Sequence, residues 1–176
     1  KINETTGLYN RRVMFADVIK NRLLRKRGYF VFLGLDKIAK AYSEHSIEYV
    51  ERILEYCANL LEEYISKDVK VYHVEDDVFM VYMAHAAEDD VKEFFEELTE
   101  KAKEKVTITA VAFSGNKIDF GEKETYKVAM KELSQAKQQN RSKLTILSKE
   151  DIQEKIEEKN LMEELRKMNR IIDKEF

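Results

Sequence analysis

Glu75-Asp76-Asp77 is the stretch whose residue types could do the most chemistry. Three consecutive carboxylates lie between Val69–Val74 and Val78–Met83, two runs of β-branched and aromatic residues. Adjacent carboxylates repel one another, so plain fold stability does not ask for them, and acids with perturbed ionisation often mark functional sites. On this stretch alone, a solvated acidic turn is the simpler reading. A second candidate is the basic pair Lys137 and Arg141, which at i, i+4 share one helix face, although such pairs are common on solvated surfaces. His45 and His85 have no histidine or carboxylate at a defensible ligand spacing, and with His73 they read as ordinary surface or strand residues. Cys57 falls in an amphipathic helical pattern and reads as a buried, inert thiol.

The acidic run needs a β-hairpin to present it, two strands of about 5–6 residues joined by a tight connection. Its turn chemistry is unusual, because such turns favour Gly or Asn, which tolerate positive φ. Upstream, Leu8–Arg27 carries Val13, Met14, Val18, Ile19 and Leu23 at helical spacing and stops at Gly28. Tyr29–Leu35 is a continuous apolar run that predicts a central strand covered on both faces, with Gly34 and Asp36 at its end. Ser43–Ser66 repeats Ile47, Val50, Ile53, Leu54, Cys57, Leu60, Leu61 and Tyr64 and predicts one long amphipathic helix. After the hairpin come a helix over Ala86–Lys105, a strand over Val106–Ser114 and a turn over Ser114–Lys117. A helix over Tyr126–Gln139 and a short strand over Lys143–Leu147 follow. The last helix starts at Ser148, with Asp151 at capping-box spacing. Helices alternating with apolar strands predict a mixed sheet with helices packed on its faces, an α+β fold. Ile152, Ile156, Leu161, Leu165, Met168 and Ile172 run along the final helix between dense charges. A helix so polar reads as a connector leaving the domain, which divides the chain into a domain over 1–147 and a connector over 148–176.

Composition narrows the classes. A chain of 176 residues suits one domain with a substantial core. A net charge of −3 with both signs interspersed gives no reason to expect nucleic acid or an anionic membrane as partner. The single cysteine excludes an intrachain disulfide framework and cysteine-based zinc sites. The longest apolar run is too short to span a bilayer, and no signal peptide is visible, so a soluble cytoplasmic domain is expected. Opening on Lys1 without Met and ending at Phe176 inside a helical pattern point to an excised piece of a longer protein.

Two short segments make the fold specific. Thr6-Gly7-Leu8-Tyr9-Asn10-Arg11-Arg12 stands near the start and Ala136-Lys137-Gln138-Gln139-Asn140-Arg141 near the end. With a strand leading to Asp36 and a hairpin carrying Asp77 and Phe79, they resemble the GGDEF family of diguanylate cyclases over about residues 3–147. That family opens on a TGLxNRR segment, places its namesake motif on a hairpin tip and closes on an AKxxGRN-like helix end. The resemblance implies a nucleotidyl-cyclase-like fold, a central, mixed but mostly antiparallel five-stranded sheet wrapped by helices. It also implies a chemistry joining two GTP into cyclic di-GMP with a metal pair.

Aligned with the family, GGDEF becomes Glu75-Asp76-Asp77-Val78-Phe79. Asp77 keeps the third, metal-binding position and Phe79 the core-facing aromatic, while both glycines and the glutamate are gone. The strand-end metal aspartate falls on Gly34; Asp36, two residues on, would face the same side if the strand continued. The missing glycines let the family's backbone approach phosphate, and Glu75 and Asp76 put charge there instead. Two like charges at 4 Å cost about 1 kcal/mol in water and about 4 at an effective dielectric near 20. On the guanine side, the family's Asn aligns with Tyr42 and its helical Asp with Glu51; a tyrosine cannot supply both the donor and the acceptor of an amide. Ser66 and Val69 stand where the inhibitory RxxD site would be. Lys137 and Arg141 align with the family's phosphate-contacting Lys and Arg.

The resemblance with these departures implies a catalytically silent GGDEF domain that holds GTP weakly, if at all, and tunes a neighbouring EAL-type phosphodiesterase domain. No cofactor is required; Mg²⁺ enters only if a nucleotide binds. Partners implied are GTP, the EAL-type neighbour and a second copy, with no nucleic acid or membrane contact. The alternatives are an active cyclase whose unorthodox metal site uses Asp36 with Asp77, and a pure protein-interaction or dimerisation scaffold.

Overall fold

The computed structural model describes residues 1–23, 27–115, 122–139 and 142–175. Residues 24–26 of the expected first helix, Asn116 and Lys117 of the expected turn, and Asn140 and Arg141 lie outside the described residues. The element order is β1 (Tyr9–Asn10), α1 (Arg11–Leu23), β2 (Gly28–Leu35), α2 (Ile38–Glu44), α3 (Ile47–Glu62), β3 (Val69–Glu75) and β4 (Val78–Ala84). It continues through α4 (Glu88–Ala102), β5 (Ile108–Ser114), α5 (Glu122–Gln139) and β6 (Leu144–Leu147) to α6 (Lys149–Glu175).

One sheet runs in the order β1-β3-β4-β2-β5-β6. The three central pairings are antiparallel, and the two edge pairings, β1 with β3 and β5 with β6, are parallel. The sixth strand, beyond the five expected, is the two-residue β1, where Tyr9 and Asn10 pair with Tyr72 and His73. A run this short carries no period-2 signal, so only tertiary pairing reveals it.

Strand β2 is apolar on both faces because both are covered. Val31, Leu33 and Leu35 join one core cluster with α3 and α4; Phe32 joins the other with α1, α5 and the start of α6. The helix expected over Ser43–Ser66 is α3, starting at Ile47, and a separate helix, α2, precedes it over Ile38–Glu44. His45 is extended, and the Ser46 hydroxyl caps α3 by accepting from the Tyr49 N–H at 3.2 Å. Cys57 is buried on the α3 face, and desolvation pushes its thiol up to about 12, so it is inert there. The capping box at α6 forms as expected: the Asp151 N–H donates to Ser148 Oγ at 3.0 Å and the Ser148 N–H to Asp151 Oδ2 at 2.8 Å. The first turns of α6 bury Ile152 and Ile156 in the core; from Leu161 onward its apolar residues are exposed. Among the described residues no helix is long and apolar enough to cross a membrane.

Candidate functional site

The acidic turn is Asp76-Asp77, closed by the pairing of Glu75 with Val78. Neither aspartate has positive φ, contrary to what a tight hairpin favours. The ladder runs from His73–Phe79 directly to Glu75–Val78, leaving Val74 as an extra residue in β3. Such a bulge adds local twist, which accommodates a turn of the ordinary hand without glycine. Both tip carbonyls are occupied: Asp77 O accepts from the Leu35 N–H at 2.9 Å, and Asp76 O from His73 Nε2–H at 3.1 Å.

Two groups of residues meet at this tip. The first braces it from the β1 side. His73 is buried in β3, stacks on Phe79 with ring centroids 4.5 Å apart, and accepts from the Thr6 hydroxyl at Nδ1, 3.0 Å. Burial, the largest effect, holds its pKa below the ordinary value, so the ring is neutral near pH 7. Gly7, at φ +75°, turns the chain so that Leu8 enters the core. Asn10 Oδ1 then caps α1 by accepting from the Val13 N–H at 3.2 Å. Glu75 reaches the same side: its Oε1 accepts from the Tyr126 hydroxyl at 2.7 Å and lies 3.4 Å from Arg11 Nη1. The charge expected to face a nucleotide phosphate from Glu75 is therefore turned toward α1 and α5 and balanced there. Tyr126 carried no sequence signal of this role.

The second group lies on the other side of the tip, the cleft side, where the end of β2 and Asp77 meet Lys137 of α5. Asp36 is buried; its Oδ2 accepts from the Thr107 hydroxyl at 2.8 Å and its Oδ1 from the Thr109 hydroxyl at 3.0 Å. Thr109 is the strand partner of Gly34, so Asp36 stitches the end of β2 to β5. Neither threonine stood out in the sequence. Asp77 makes an ion pair with Lys137 Nζ, its side chain 28% exposed and that of Lys137 22%. Tyr42 is exposed, and its hydroxyl pKa is raised, first by partial burial and then by the charges of Asp76, Glu51 and Asp77. Among the described residues, no group of three or more His, Cys, Asp or Glu side chains could hold a metal ion.

Comparison with known proteins identifies the family. The family model described as "Diguanylate cyclase, GGDEF domain" matches residues 1–143, and the chain belongs to the GGDEF family. Solved structures agree on the fold. The FimX GGDEF domain of Pseudomonas aeruginosa matches with a TM-score of 0.71 at 14% identity, over 82% of this chain and 98% of that one. The active GGEEF domain of a Vibrio cholerae diguanylate cyclase matches at 0.67 and 18%, over 79% and 97%. Vibrio cholerae LapD, solved as S helix-GGDEF-EAL bound to c-di-GMP, matches at 0.73 and 17%, over 84% of this chain and 36% of that one. No curated protein sequence matches the chain. Membership places the chain in cyclic di-GMP signalling, in a family that uses Mg²⁺ when active.

Proposed function

We propose that this is a catalytically silent GGDEF domain, a regulatory module that holds GTP weakly and tunes a neighbouring EAL-type domain. The observation that carries the reading is Gly34. Where the family places its strand-end metal carboxylate, this chain has no side chain, and the remaining metal-position acid, Asp77, is paired with Lys137. A cyclase must activate a 3′-hydroxyl and neutralise a triphosphate with metal. The second reading, a cyclase using Asp36 with Asp77, would place a metal on a carboxylate whose two oxygens already accept from the Thr107 and Thr109 hydroxyls. LapD, which joins GGDEF to EAL in one chain, supports the regulatory arrangement by analogy of fold.

In this reading Tyr42 and Glu51 line the guanine side, and the phosphates approach Lys137 and Arg141 by competing with Asp77 for the ammonium. Isothermal titration of GTP with Mg²⁺ tests the holding step. Heat that disappears in Lys137→Ala/Arg141→Ala is expected; no heat with either protein removes GTP from the account and leaves a scaffold.

A further inference from the structure

The cleft carries a cation of its own. Lys137 does not stand over it as a free basic residue: its aliphatic stem lies against the bare backbone of Gly34. A Cβ built on Gly34 would meet Lys137 Cδ at 2.9 Å and Leu133 Cδ2 at 3.3 Å. The space an aspartate would need at residue 34 is thus taken by the lysine stem. The ammonium at its end pairs with Asp77, and each partner is about three-quarters shielded from solvent. The Asp77 backbone is tied to the end of β2 through the Leu35 N–H, so its carboxylate is presented to the lysine from a fixed base.

We propose that the Lys137 ammonium is the resident cation of this cleft, standing where the family places a divalent metal ion, with Gly34 as the residue that admits it. The family's metal therefore does not fit the residues present. Mg²⁺ demands several oxygens in near-octahedral array at about 2.0–2.1 Å, and Gly34 supplies no carboxylate while the lysine occupies the approach to Asp77. An ammonium balances a carboxylate or a phosphate as a compact point charge, but it accepts no lone pair and so cannot act as the Lewis acid that activates a hydroxyl. Charge neutralisation is kept and activation is lost. This deepens the silent-domain reading and rests on it only in placing the cleft on the nucleotide side.

The test uses the full chain without nucleotide, so its failure is separable from that of the GTP reading. Mn²⁺ is titrated and followed by electron paramagnetic resonance for wild type, Asp77→Asn and Gly34→Asp/Lys137→Ala. Expected is no saturable Mn²⁺ in wild type at millimolar concentrations and a gain in the double variant, where the stem is gone and a second carboxylate is present. Saturable binding in wild type that Asp77→Asn abolishes overturns the proposal, as does no gain in a folded double variant. Thermal unfolding of Lys137→Met, Asp77→Asn and their combination covers the case of a double variant that does not fold. Each single change lowers Tm by about 2–4 °C, and the combination falls no further than the larger single loss; strictly additive losses contradict the pairing.

Discussion

The two sides of the hairpin tip are held by different kinds of contact. On the brace side, the Thr6–Arg12 segment, His73 and Glu75 form a continuous set of contacts to β1, α1 and α5. On the cleft side, Asp36 accepts from Thr107 and Thr109, Asp77 pairs with Lys137 beside Gly34, and Tyr42 is exposed. The brace contacts are all made by the chain itself. The residues that position the tip differ from those proposed to face a ligand, so the architecture of the tip does not by itself fix what it does.

Substitutions that separate the two sides rank by burial. The largest loss is expected at Phe79, fully buried beneath the tip and stacked on His73. Phe79→Ala should cost about 3–5 kcal/mol in denaturant unfolding, and a loss below about 1 kcal/mol would mean that the brace is not what holds the hairpin. His73 comes next. Its pKa is depressed in the folded chain, so the unfolded chain binds more protons between the folded value and about 6.5. Its contribution is therefore complete above about pH 6.5 and is lost as pH falls toward the folded value. In His73→Gln the slope of Tm between neutral pH and pH 5.5 should flatten; an unchanged slope would assign it to other groups.

Arg11→Ala should cost under about 1 kcal/mol, because the Arg11–Glu75 pair is largely exposed on both partners. A larger loss would show that Arg11 braces the tip through its place over the Tyr126 ring, 5.9 Å from the centroid. On the cleft side, Tyr42→Ala should change stability by no more than about 0.5 kcal/mol, since the ring is exposed and makes no packing that the core needs. A clear destabilisation there would erase the contrast between the two sides.

The hairpin, the central strand and most helices were legible because their apolar patterns extend over many residues and match one period. Thr6-Gly7-Leu8-Tyr9-Asn10 was legible as a motif, and the structure supplies its physics: a hydroxyl for His73, a positive-φ glycine, a core leucine and a helix cap. The apolar stripe from Ile47 marks α3 alone; α2, Ile38–Glu44, was not read because seven residues carry too short a periodic pattern, and the Ser46 cap separates the two. The bulge at Val74 was illegible because an inserted strand residue looks like any other β-branched residue until its partner is known. The partners of Asp36, Asp77 and Glu75 lie 51 to 73 residues away. No local rule reports which long side chain will reach across that span. That Gly34 lies against the stem of Lys137 was likewise beyond any local rule.

The most direct test is product analysis: GTP with Mg²⁺ or Mn²⁺ is incubated with the wild-type domain and with Asp77→Ala, and cyclic di-GMP is quantified by mass spectrometry. No product above the protein-free control from either is the predicted result. Turnover by wild type that Asp77→Ala abolishes would contradict the account and establish a working cyclase site at the acidic tip.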